Sequence, residues 1–356
     1  MTGAEDTWII KGFLKGDYRM KILFIGGTGT ISMAITRILA ERGEEMYLLN
    51  RGNRNDGLPD NVHVIQCDIS NEADVAEKLS RMEFDCVGEF IGFEKPQIER
   101  DYRLFAGKTK QYIFISSASA YQKPMNGYVI TEETPLGNPY WEYSQNKQAC
   151  EEYLFERYRE DGFPVTVVRP SHTYDERSVP LGVHGKNGSW QILKRIREGK
   201  QVIIHGDGTS LWTITHNSDF ARAYVGLIGN TDAVGEAFHI TTDESVSWNE
   251  IYGYIAEAMD VELKACHITT ETLTALGPEY DFIGSLIGDK ANSVVFDNSK
   301  IKRFVPGFKA EISAREGIRQ TVEYVLSHEE CQVDDVEFDK WCDGVIAIAD
   351  RLRYGI

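Results

Sequence analysis

Tyr143 and Lys147 stand four residues apart in the segment Trp-Glu-Tyr-Ser-Gln-Asn-Lys, residues 141–147. On a helix that spacing puts both side chains on one face. A phenol ordinarily titrates near pH 10, and a neighbouring ammonium favours its charged form. The pair is therefore expected to work as a proton donor and acceptor near neutral pH. Such a pair suits chemistry at a carbinol or carbonyl carbon, provided a hydride carrier is held nearby.

A place for that carrier occurs upstream. Gly26-Gly27-Thr28-Gly29-Thr30-Ile31-Ser32 follows the apolar run Lys21–Ile25 and opens a helical pattern over 31–42. Glycines at a strand–helix junction let the backbone approach a pyrophosphate, and the helix N-terminus attracts its charge. Gly26, Thr28, Gly29, Thr30 and Ile31 are thus expected to contact a dinucleotide. Ser32 replaces the third glycine of the usual fingerprint, and serine is small enough to keep helix and strand packed. The second strand ends in Asn50-Arg51-Gly52-Asn53-Arg54, with no acid to bond a ribose 2′-hydroxyl. A guanidinium can pair a 2′-phosphate and stack on adenine. NADP is therefore the expected cofactor, with NAD as the alternative and Arg54 equally readable as a solvated charge. Asp68 and Ile69, after the third strand, are expected at the adenine edge.

The elements that must position these groups alternate. Strands are predicted at 21–25, 46–49, 62–66, 85–90, 112–115 and 165–168, with helices at 71–81, 95–106 and 141–160 between them. That order implies a Rossmann-type α/β fold, a doubly wound parallel sheet covered on both faces. Beyond about residue 170 the pattern loosens. Helices are predicted at 189–199, 218–229, 247–259, 269–277 and 312–327, with short strands at 201–204 and 237–240. The expected organisation is a leader over 1–19, a dinucleotide-binding domain over 20–170 to which segments near 201–240 return, and a smaller, mostly helical substrate lobe over 171–356. Lys15-Gly16-Asp17 can be encoded by a purine-rich stretch like a ribosome-binding site, which would make Met20 the native start.

The bulk composition excludes several classes. At about 150 residues per domain, 356 residues correspond to two domains or one elaborated one. The net charge of −17 argues against nucleic acid as a main partner. The six cysteines show neither paired zinc spacing nor a His/Cys cluster, so no metal is expected, and their scatter fits a reducing cytoplasm. No apolar run approaches the length of a membrane span.

Taken together, these residues resemble the extended short-chain dehydrogenase/reductases, and within them the NAD-dependent epimerase/dehydratase family of nucleotide-sugar enzymes. The resemblance covers about residues 20–327. It rests on the Gly26–Ser32 turn, Phe114-Ile115-Ser116-Ser117-Ala118-Ser119-Ala120-Tyr121, Glu133 with Pro135 and Pro139, Tyr143 to Lys147, Arg169-Pro170, and Gly206-Asp207-Gly208-Thr209 leading to Asp219. It implies Tyr143 as the acid/base, Ser117 as a hydroxyl on the same substrate oxygen, and Lys147 on the nicotinamide ribose, with Tyr143, Lys147 and Pro170 touching the cofactor. It also implies a small-molecule substrate and a possible homodimer through the helix carrying Tyr143.

The departures from the family pattern bear on substrate. Ala118-Ser119 stand where dehydratases place Asp-Glu, so loss of water is not expected. Trp212 stands where nucleotide-sugar enzymes commonly carry a diphosphate-binding arginine, which puts a nucleotide sugar in doubt. Ser119, Tyr121, His172, Lys186, Trp212 and His216 are the expected substrate contacts, and Tyr121 and Trp141 the expected aromatic walls. The functional expectation is an NAD(P)-dependent oxidoreductase or epimerase acting on a sugar-like or other small polar molecule. The competing reading is a non-catalytic nucleotide- or RNA-binding protein on the same fold.

Overall fold

The computed structural model describes residues 19–355. The reading of a leader falls almost entirely outside them. Seven strands form one parallel sheet: β1 (Lys21–Ile25), β2 (Glu45–Asn50), β3 (Val62–Gln66), β4 (Cys86–Glu89), β5 (Tyr112–Ile115), β6 (Val165–Pro170) and β7 (Ala237–Ile240). Their order across the sheet is β7-β6-β5-β4-β1-β2-β3. The chain winds outward from β1 through β2 and β3, then restarts on the other side of β1 with β4. A crevice opens at the carboxyl ends of the strands where the winding reverses, which is where open α/β sheets take their ligands.

Both faces of the inner strands are buried, so β1, β4, β5 and β6 show no alternation, whereas the edge strand β3 is largely exposed. Ile22 and Phe24 of β1 join one core and Leu23 and Ile25 the other. Helices α1 (Ser32–Glu41) and α6 (Asn217–Leu227) pack together, as do α3 (Lys95–Phe105) and α4 (Glu142–Asp161). Between these, α2 spans Glu72–Lys78 and α5 Trp190–Arg197. The strand and helix predictions for the first half hold to within a few residues.

A third hydrophobic core binds the rest of the chain around Trp212, Trp248, Tyr252 and Leu286. It is covered by α5, α7 (Trp248–Ala258), α8 (Thr270–Leu276), α10 (Ala314–Ser327) and α11 (Val336–Tyr354), with α9 spanning Ser299–Phe304. Of the segments expected to return to the main sheet, 237–240 does so as β7. Val202–His205 instead pairs in parallel with Ala265–Ile268, outside that sheet. Helices α9 and α11 were not among the predicted elements, and neither was a third. Ile283–Lys290 is a π-helix, a form whose wide turn no hydrophobic periodicity announces.

Candidate active site

Helix α4 places Tyr143 in its first turn and Lys147 one turn later, and it ends at Gly162 in the left-handed region, φ 69°. Lys147 is buried, 1% exposed. Its Nζ donates to the carbonyls of Gly92 and Ile115, both at 2.7 Å. It also sits 4.8 Å from the ring centres of Phe93 and Phe114. Burial lowers the ammonium's pKa to about 8.

The sequence led us to expect a lowered phenol pKa, and the shift runs the other way. Burial raises Tyr143, with a bond from Ser117 partly opposing it. Two reasons account for the difference. The ammonium is committed to two backbone carbonyls, and its Nζ lies 5.8 Å from the centre of the phenol ring. Enclosure outweighs what that cation contributes. Ser117 belongs to a chain of hydroxyls: its Oγ is 2.8 Å from Ser119 Oγ, which accepts from Ser144 Oγ at 2.7 Å.

Two cavities lie at the end of β5, one lined by Ile115 and the other by Ser117. The larger, about 740 Å³, is lined by Gly26, Thr28, Gly29, Thr30, Ile31, Asn50, Arg51, Asp68 and Ile69, which are the expected dinucleotide contacts, and by Arg54, Arg100 and Ile115. Its chemistry fits a dinucleotide. Helix α1 starts at Ile31 with no side-chain cap and no acid in its first turn, so its amides and dipole are left for an anion. A Cβ built on Gly29 would meet only Ser32 Oγ, at 3.6 Å, so the space above it is open. The smaller cavity, about 240 Å³, contains Ser117, Ser119, Tyr143 and Pro170 together with Trp141, His172 and Trp212.

Of the expected substrate contacts, Ser119, His172 and Trp212 line this cavity. Three others do not. Tyr121 is fully buried behind it, bonded to His239 Nδ1 at 3.3 Å and to Arg169 Nη1 at 3.2 Å. That arginine is itself held by Glu151, so Tyr121 is part of a packed polar core and not a pocket wall. Lys186 lies at the surface, where its backbone N–H donates to Asp335 at the start of α11. His216 caps α6, accepting from the N–H of Ser218. Each was singled out by residue type in a loop, and the tertiary fold turned it elsewhere.

Two polar residues of the cavity carried no motif in the sequence. Lys123, 3% exposed, follows β5 by eight residues, and Asp289 is the penultimate residue of the π-helix. The π-helix is pinned against the start of α4. Asn138 Nδ2 donates to Gly288 O at 2.7 Å and to Ser119 O at 2.8 Å, and Trp141 Nε1 donates to Asp281 at 2.6 Å. A Cβ at Gly284 would lie 2.1 Å from Trp141 Cδ1, so only glycine lets the indole seat there. Among the described residues no His, Cys, Asp or Glu group is arranged to hold a metal ion, and no helix is long and apolar enough to cross a membrane.

Comparison with known proteins agrees with this architecture. Residues 100–241 match the model of the NAD dependent epimerase/dehydratase family. The chain is 22% identical over 302 residues to 2′-dehydrokanamycin reductase of Streptomyces kanamyceticus, covering 82% of this chain and 80% of that protein. The solved structure of an epimerase from Methanothermobacter thermautotrophicus superposes with a TM-score of 0.71 at 16% identity, over 88% of this chain and 94% of that one. UDP-glucose 4-epimerase of Thermus thermophilus, solved in complex with NAD, gives 0.66 at 20% identity, over 86% and 99%. The family match spans helix α4, and the chain shares the fold of these epimerase structures along most of its length.

Proposed function

We propose that this protein is an NAD(P)-dependent oxidoreductase that reduces a carbonyl on a small, sugar-like substrate, with Tyr143 as the proton donor. The observation that carries the reading is the placement of two cavities around the end of β5, at Ile115 and Ser117. One is a glycine-floored trough suited to a dinucleotide, and the other is a compact polar chamber containing Tyr143 and Ser117. A bound nicotinamide cofactor supplies the hydride. Ser117 donates to the substrate oxygen, and the hydroxyl chain through Ser119 and Ser144 holds it in place. Because burial raises the Tyr143 phenol, it stays protonated at neutral pH, the form needed to protonate an alkoxide. The Lys147 ammonium, fixed by two carbonyls below the β5 end, contributes positive charge where negative charge develops.

The cofactor preference we infer is NADP. Arg51 and Arg54 line the trough beside Asn50, whose side chain is spent on Asn55 and on the Gly52 N–H. No carboxylate stands at the tip of β2 to take a ribose 2′-hydroxyl. Arg51→Ala is expected to weaken NADPH at least tenfold and leave NADH within twofold, measured by fluorescence titration. Equal effects on the two would return the preference to NAD. Following the reduced-nicotinamide absorbance with substrate present separates the two reaction types. Stoichiometric loss means a reductase, whereas substrate conversion with no loss means an epimerase and would displace the reductive reading.

The pH dependence follows from Lys147. Its ammonium loses its proton near pH 8, so the cation is present below that value and absent above it. For NADPH-dependent reduction, kcat/KM is expected to fall on the alkaline side with a midpoint near 8. A profile flat to pH 10 would remove Lys147's charge from the mechanism.

A further inference from the structure

The smaller cavity contains more unspent polar chemistry than proton transfer needs. Asp289, half-buried, receives no hydrogen bond to its carboxylate among the described residues; only the charges of Lys290 and Lys123 favour its ionised form. Lys123, 3% exposed, reaches no better acceptor than Met125 Sδ at 3.4 Å. The indole N–H of Trp212 is buried with no partner. His172 makes no side-chain hydrogen bond, and burial keeps it neutral, with its pKa lowered to about 3. Buried polar groups in a folded protein are nearly always satisfied, so the unpartnered Trp212 N–H, with the half-buried, unbonded Asp289 and His172 beside it, awaits partners that a ligand brings. Asp289 sits on a π-helix held by Asn138 and by Trp141 over Gly284, so its position is built and not incidental.

Size and charge narrow the ligand. About 240 Å³ is below the usual range of roughly 300–1,000 Å³ for small-molecule pockets, so a nucleoside diphosphate on the sugar would have to extend outside it. No arginine lines the chamber, and its one lining lysine faces a carboxylate that would repel a diphosphate. Resting on the reductase reading above, we infer that the substrate is a compact polyhydroxylated ring of single-sugar size without a diphosphate, with Asp289 accepting from its hydroxyl or amino groups and Lys123 donating to its oxygens. Asp289 and Lys123 then determine specificity and take no part in hydride transfer.

The test uses the full chain saturated with NADP and isothermal titration of D-glucose, D-glucosamine and UDP-glucose. At least one free sugar is expected to bind with a Kd in the millimolar range or better, with UDP-glucose no tighter than glucose. Asp289→Asn and Lys123→Met are each expected to weaken the free sugars tenfold or more while leaving NADPH binding unchanged. A larger loss for glucosamine than for glucose assigns an ammonium to Asp289, and equal losses assign hydroxyls. A second readout separates binding from structure. Burial raises the Asp289 carboxyl, so above its ordinary titration range the ionised group costs the native state stability. Without sugar, Asp289→Asn is therefore expected to melt higher than the native protein at pH 7.

The inference is overturned if UDP-glucose binds tenfold tighter than glucose, if no free sugar binds, if both variants bind sugar like the native chain, or if Asp289→Asn melts at the same or a lower temperature. Loss of NADPH binding by the native chain would instead strike the reductase reading itself.

Discussion

Tyr143→Phe is expected to lower kcat by about 10²–10⁴-fold while leaving NADPH affinity within a factor of two. The substitution removes one oxygen and keeps the ring. The ring's packing is what matters for the fold: it lies 5.0 Å from Trp141 and 6.4 Å from Phe93, centre to centre. Those contacts persist in phenylalanine, so a large loss of rate reports the proton and not the shape. Ser117 loses its hydrogen-bond partner in the variant but keeps Ser119. The measurement is steady-state NADPH oxidation beside a fluorescence titration of NADPH. Turnover retained within threefold would remove Tyr143 as the proton donor, and the mechanism with it.

Gly29→Val is expected to weaken dinucleotide binding by two orders of magnitude or more without unfolding the chain. The physical basis is a contrast within one turn. Gly27 has φ +87°, and a Cβ there would stand 2.5 Å from Leu48 Cδ2, so any side chain strains the fold itself. Gly29 is not in the left-handed region, and its Cβ would meet nothing closer than Ser32 Oγ at 3.6 Å. The protein tolerates a side chain at 29, whereas a pyrophosphate brought against the α1 N-terminus does not. Thermal melting alongside NADPH titration distinguishes the cases. A melting temperature within a few degrees of native with binding lost is the expected pair, and full affinity would refute the placement of the turn.

The first half of the fold was legible because its signals are local and redundant. Each strand is a short apolar run, each helix has its own stripe, and glycines mark the junctions, so position in sequence and position in space coincide. The lining of the larger cavity shared this advantage, since Gly26 to Ile31 and Asn50 to Arg51 sit at the tips of consecutive strands that parallel pairing brings side by side. The substrate chamber had no such guide. Lys186, His216 and Tyr121 carry suitable chemistry, but one is held at the surface near Asp335, one caps a helix and one completes a buried network. Asp289 had no motif, because a π-helix leaves no regular period and the residues that pin it, Asn138 and Trp141, are 150 and 140 residues from their partners.

The electrostatics divide in the same way. That Tyr143 and Lys147 share one face followed from a spacing of four. The direction of the phenol's shift did not, because it depends on how deeply α4 is enclosed and on which acceptors the ammonium finds, here the carbonyls of Gly92 and Ile115. By itself the sequence determined the alternating sheet, the glycine turn at its first strand–helix junction and the shared face of Tyr143 and Lys147, all of which are encoded by neighbours along the chain. Only the tertiary structure decided which groups face the chamber and how their protons are held. Burial and long-range contact depend on chain segments far apart in sequence, and no local pattern records them.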